Sequence, residues 1–124
     1  MRWRKIIFVC LLLPTIAIGF AQDGGTSSRV EFKEGKSSVR IKGQVDMLNP
    51  RSYIIPVKAG QRIRARLKGS GAFVNLFLPG RDTILGTKDT TRLDEIAQET
   101  GDYEVIVKCL ETRYISYQLN LEVR

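Results

Sequence analysis

Few side chains in this sequence are placed to do covalent chemistry. Ser70 stands between two glycines in "GSG", which would expose its hydroxyl, but the 124 residues contain no histidine to take its proton, and the surroundings are not a nucleophile elbow. The missing imidazole also removes the commonest general base and the commonest zinc ligand. Asp94, Glu95, Glu99, Asp102 and Glu104 form the one acidic stretch. Two carboxylates could act on a glycoside or hold calcium, yet this spacing lacks the alternating Asp/Asn and terminal Glu of a calcium loop, so surface charge around a turn is expected. Cys109 continues the alternation of Tyr103, Val105 and Val107, which points it into the core as a small hydrophobe. No catalytic residue, metal site or cofactor site stands out, and a non-enzymatic protein is expected.

The most regular charged feature is "RIRARLK", where Arg62, Arg64, Arg66 and Lys68 alternate with apolar residues. On a strand these four side chains share one face. That face is expected either to be a solvated sheet surface protected by charge from pairing with another chain, or a cationic patch for an anionic glycan, lipopolysaccharide phosphate or an acidic enzyme surface. No aromatic residue interleaves the ladder, so nucleic acid is not an expected partner.

The elements that hold these residues are legible as strands. Apolar residues recur with period two at Val30 and Phe32, Val39 and Ile41, Tyr53 with Ile55 and Val57, and Ile63 with Ala65 and Leu67. In "YISYQLNLEVR" Ile115, Tyr117, Leu119, Leu121 and Val123 alternate with polar residues, one face for core and one for water. Turn signals containing glycine or proline separate the runs at "KEGKSS", "MLNPRS", "KAGQ", "KGSG", "LPGRD" and "QETGD". "AFVNLFL", apolar on both faces, is expected centrally or beneath a loop, and "TTRLDEIAQ" is expected as strand plus loop. The pattern predicts an all-β protein, an antiparallel, jelly-roll-like β-sandwich of about seven to eight short strands.

The first 21 residues have a different character. Arg2, Arg4 and Lys5 precede an apolar run from Ile6 to Phe20 that ends in small residues, the layout of a secretory signal peptide expected to be cut after Ala21. The run is short and broken by Pro14, so no membrane span is expected after cleavage. Cleavage removes three positive charges and no negative ones, taking the formal charge from +7 to +4 for the mature chain. Residues 22–28 are expected as a flexible lead-in and residues 29–124 as a single domain, monomeric and stabilised without disulfides, since Cys109 is its only cysteine.

The blocks "VEFKEGKSSVRIKGQV", "RSYIIPVKAGQRIRARL", "NLFLPG", "TGDYEVIV" and "YQLNLEV", in that order, resemble small exported bacterial β-sandwich domains of the pre-peptidase C-terminal type. The resemblance spans Arg29 to Arg124 and is to the single-domain branch that includes periplasmic inhibitors of goose-type lysozyme. It implies a periplasmic or secreted binding protein whose loops, at one end of the sandwich, enter the enzyme's sugar-binding cleft. It also implies that Tyr103 fixes a sandwich corner through its hydroxyl. The corresponding loops here are Met47 to Ser52, Gly69 to Phe73 and Leu110 to Arg113, with Arg51, Ser70 and Arg113 as their polar contacts. Where such inhibitors tend to carry an aromatic residue and a polar turn, this chain has Met47, Leu48 and Pro50; the Met47 and Leu48 side chains are expected to fold back over the end of the core, the alternative being that they protrude as a binding tip. Domains of this type also serve as binding modules for envelope glycan or protein, the role the cationic face would fill.

Overall fold

The computed structural model describes residues 27–33 and 35–124; the expected signal peptide, its cut after Ala21 and most of the lead-in lie outside the described residues. Among the described residues eight strands follow in chain order: β1 (Ser27–Arg29), β2 (Ser38–Val45), β3 (Arg51–Val57), β4 (Arg62–Lys68), β5 (Ala72–Phe77), β6 (Arg92–Ile96), β7 (Gly101–Cys109) and β8 (Ile115–Val123). They form two four-stranded sheets, ordered β2-β8-β4-β6 and β1-β3-β7-β5, packed face to face as a sandwich. Every pairing is antiparallel except β1 with β3, which is parallel. Ser27 and Ser28, expected in the lead-in, belong to that parallel edge strand and pair with Ser52 and Tyr53. No helix among the described residues is long and apolar enough to cross a membrane.

The period-two pattern sets the core. Ile63, Ala65 and Leu67 on β4 meet Leu119, Leu121 and Val123 on β8, and from the other sheet Ile55, Val57, Val105, Val107, Val74 and Leu76 close against them. β8 pairs with both β2 and β4, so its alternation is the most regular of all, with each odd residue from Ile115 to Val123 buried. Cys109 is buried at the end of β7, its Sγ 3.6 Å from the carbonyls of Val45 and Glu111.

"AFVNLFL" supplies an edge strand beneath a loop. The connection from β5 to β6 runs back along β5, with the Val74 amide donating to Thr90 at 2.7 Å and the Leu85 amide donating to Leu76 at 2.7 Å, which covers polar groups an edge would otherwise expose. Asn75, on the outer side of β5 and buried, holds this connection: it donates to the Asp89 carboxylate at 2.9 Å and accepts the Asp89 amide at 2.7 Å. "TTRLDEIAQ" contributes β6 and the loop after it. Tyr103 makes the expected corner, its hydroxyl donating to the Glu99 carbonyl at 2.8 Å from a fully buried ring.

Candidate functional site

The registers place three connections at one end of the sandwich. β2 ends where β8 begins, with Val45 opposite Ile115; β7 ends where β5 begins, with Cys109 opposite Ala72; and the first residue of β3, Arg51, faces Val107. Residues 46–50, 69–71 and 110–114 therefore cluster; they overlap the expected loops Met47 to Ser52, Gly69 to Phe73 and Leu110 to Arg113, but Arg51 and Ser52 belong to β3, Ala72 and Phe73 belong to β5, and the third loop extends to Tyr114.

Glu111 ties them together. Its carbonyl accepts the Met47 amide at 2.8 Å, its carboxylate accepts Nε of Arg113 at 3.0 Å, and the same carboxylate lies so close to Gly71 that a Cβ there would stand 2.8 Å from Oε2. The 69–71 turn is held from its other side as well. Gly69 has φ +147, and a Cβ on it would stand 2.8 Å from the Ser116 carbonyl at the start of β8. Ser70 is thus exposed on a turn whose two neighbours are fixed, and Arg113, its side chain 76% exposed, projects from the adjoining loop.

Arg51 is placed differently. It lies half-buried on the inward side of β3, in phase with Tyr53, and reaches across to the other sheet, its Nε donating to the Gln44 carbonyl at 3.0 Å. Its side chain lines a cleft of about 250 Å³ on the flank of the sandwich, with Gly43, Gln44, Tyr53 and Tyr117, rather than the loop tip. The structure brings Ser70 and Arg113 into one cluster and sets Arg51 beneath it as a brace between the sheets.

Met47 and Leu48 do not fold back over the core. Leu48 is 83% exposed and Met47 is 47% exposed, because the Asp46 carboxylate accepts the Leu48 amide at 2.9 Å and the Asn49 side chain at 2.8 Å, closing a turn that throws both apolar side chains outward. Leu110, which opens the expected third loop, and Tyr114, just beyond that loop's expected end, are exposed beside them. Of the five large hydrophobic residues exposed among the described residues, only Ile96 lies away from this end. Their signal in the sequence is phase: Tyr114 precedes Ile115, so it falls outside the odd-numbered inward series of β8.

The arginine ladder is exposed as expected, and half of it is neutralised. Arg62 and Arg64 both pair with Asp94 on β6, and Arg64 also with Glu122 on β8. Three of the other four acidic residues of the stretch are likewise occupied: Glu99 pairs with Arg81, Asp102 with Arg29 at 3.0 Å, and Glu104 accepts the Ser52 hydroxyl. The pairing holds the Asp102 carboxyl below the ordinary carboxylate range. No group of three or more acidic, cysteine or histidine side chains that could hold a metal ion occurs among the described residues.

Comparison with known proteins points the same way. No family model matches the chain. In sequence it is 29% identical over 115 residues to the inhibitor of g-type lysozyme of Escherichia coli strain K12, covering 89% of this chain and 82% of that protein. Among solved structures it superposes on Aeromonas hydrophila PliG, a periplasmic inhibitor of g-type lysozyme, with a TM-score of 0.73 at 22% identity over 80% of this chain and 96% of the other. It also superposes on the pre-peptidase C-terminal domain of a Bacillus anthracis collagenase, with a TM-score of 0.55 at 15% identity over 79% of this chain and 94% of the other. The chain is therefore similar in sequence, along most of its length, to an inhibitor of g-type lysozyme, and it has the β-sandwich fold common to such inhibitors and to pre-peptidase C-terminal domains.

Proposed function

We propose that this chain is a non-catalytic inhibitor of a goose-type lysozyme, exported to the periplasm, and that it blocks the enzyme by seating the end formed by residues 46–50, 69–71 and 110–114 in the glycan cleft. The observation that carries the mode of action is the concentration at that end of Met47, Leu48, Leu110 and Tyr114 around Ser70 and Arg113. Apolar and aromatic anchors surrounded by polar groups are the composition of a protein-binding centre. Hydrolysis of a glycosidic bond uses acidic side chains in a cleft, and a projecting guanidinium is the natural partner for one of them. The sequence similarity to the Escherichia coli inhibitor supports the choice of target class.

Within this reading Ser70 and Arg113 contact the enzyme and Arg51 holds the β2 end against β3. The test is the clearing of a peptidoglycan suspension by goose-type, chicken-type and invertebrate-type lysozymes with increasing amounts of the protein. Loss of the goose-type activity near equimolar ratio, with a complex on size exclusion, is expected. Undiminished activity at micromolar excess with no complex eliminates the proposal.

A further inference from the structure

The outer face of the β2-β8-β4-β6 sheet carries a second arrangement that loop-end inhibition does not use. The registers align Arg40, Asn120, Arg66 and Arg92 in one row across the four strands, and Lys42, Gln118 and Lys68 in the row beside it. Neighbouring strands are about 4.8 Å apart, so the first row spans roughly 14 Å. All five cationic side chains of these rows are exposed, and no carboxylate among the described residues pairs with any of them. The acids of the face, Asp94 and Glu122, are occupied by Arg62, Arg64 and Arg124.

Arg66 and Arg92 are directly opposite each other, an arrangement of like charge that destabilises a sheet unless something anionic lies between. The surface there is concave: a groove of about 580 Å³ is lined by Arg64, Arg66, Arg92, Asp94, Asn120 and Glu122.

We propose that this groove binds a carboxylate-bearing glycan, with Arg66 and Arg92 gripping one carboxylate and Asn120 and Ser38, which line it beside them, meeting sugar hydroxyls. Guanidinium forks match the planar geometry of carboxylates. An amide and a hydroxyl side chain can each donate and accept, as sugar hydroxyls require. No aromatic ring is exposed on these rows to act as a stacking platform for bases. The groove lies on a sheet face, apart from the loop end, so the two activities are separable.

Retention on immobilised polygalacturonate, against a neutral galactan and soluble polyphosphate of matched charge as competitor, tests the assignment. The wild type is expected to bind polygalacturonate in a salt-sensitive manner and to ignore the galactan. R66Q/R92Q should weaken binding about tenfold or more, R40Q at the end of the row should weaken it less, and R62Q should change it by less than about twofold. Because R66Q/R92Q removes a repulsion, its thermal midpoint should not fall, which separates loss of the site from loss of the fold. Equal retention on the neutral galactan, no retention on polygalacturonate, or unchanged retention of R66Q/R92Q and R40Q overturns the proposal. Polyphosphate competing as well as polygalacturonate itself overturns the glycan assignment. Retention by a Leu48→Ser/Tyr114→Ala variant is expected to match the wild type whatever that variant does to lysozyme.

Discussion

The hydroxyls of Tyr53 and Tyr117 meet at 2.5 Å in the space between the two sheets, one ring on β3 and the other on β8. Gly43 makes the meeting possible: it lies opposite Tyr117 in the register, and a Cβ there would stand 2.6 Å from the Tyr117 hydroxyl. The pair lies where the interior meets the flank cleft, close to the brace that Arg51 makes to Gln44. Burial raises both phenols above the usual tyrosine range, Tyr117 much further than Tyr53.

Stability at high pH should depend on this pair. Above about pH 10 the unfolded chain releases protons that the native chain retains on these two groups, so unfolding becomes favoured as pH rises and the contribution is fully present only below that pH. Urea unfolding of the wild type and of Tyr53→Phe/Tyr117→Phe should give free energies that converge from about pH 10 upward. At neutral pH the single variant Tyr117→Phe should cost about 1–3 kcal/mol, because it leaves the Tyr53 hydroxyl buried without its partner, and the double variant should recover part of that. Parallel curves across the alkaline range would show that the hydroxyls are hydrated.

The left-handed Asp89, φ 52, is held by Asn75 and by Lys108 at 3.0 Å. The hydrogen bond from Asn75 is the main cause that lowers its carboxyl, with Lys108 assisting. A depressed carboxyl contributes stability that is present above the unfolded value of 3.8 and lost as pH falls below it. Asp89→Asn keeps a side chain that tolerates this backbone and can still accept from Asn75, so it should unfold like the wild type at low pH and slightly more easily at neutral pH. Asn75→Ala is expected to cost more, about 1–3 kcal/mol, since it leaves the Asp89 amide unpaired. Chemical denaturation from pH 7 down to pH 3 would measure both.

The strands and their inward faces were legible because each residue's side follows from parity alone: once Ile115 is inward, so are Tyr117 and Leu119, and Cys109 follows from Tyr103 in the same way. The corner made by Tyr103 was legible through resemblance, the hydroxyl reaching back four residues to Glu99. What the sequence concealed is set by contacts between segments distant in the chain. Parity leaves Arg51 on the same side as Tyr53, but only the approach of β2 decides that its guanidinium finds Gln44. Met47 and Leu48 project because Asp46 closes their turn locally, a competition between an Asx-type bond and burial that composition does not resolve. The ladder looked uniform in sequence, and its division into neutralised and free arginines depends on which strands, β6 and β8, come to lie beside β4.

Gly69 should be intolerant of substitution although it lies in a surface turn. Its φ of +147 strains any L side chain, and the Ser116 carbonyl would be 2.8 Å from the new methyl. Gly69→Ala is expected to lower stability by about 1–3 kcal/mol. Ser70→Ala, exposed between fixed neighbours, should stay within about 0.5 kcal/mol of the wild type. Guanidinium unfolding of the two variants distinguishes a turn set by its backbone from one that merely connects β4 to β5.

Substitutions at the loop end should separate binding from folding. Leu48, Leu110 and Tyr114 touch the solvent more than the core, so Leu48→Ser, Leu110→Ser and Tyr114→Ala should leave the unfolding free energy within about 0.5 kcal/mol. If they anchor the enzyme, each should weaken inhibition of goose-type lysozyme, Tyr114→Ala by about tenfold or more because aromatic anchors dominate such interfaces. Arg113→Glu should act mainly on the association rate and reverse its dependence on salt, since an exposed charge steers encounter more than it holds the complex. Glu111→Gln frees Arg113 of its partner while leaving the Met47 amide its carbonyl acceptor, so inhibition should be retained or strengthened. Arg62→Gln, remote from this end and paired with Asp94, is the control. Inhibition constants from the same clearing assay decide the matter: a loss shared equally by Arg62→Gln, or none in the four loop variants at positions 48, 110, 113 and 114, would place the contact surface elsewhere on the sandwich.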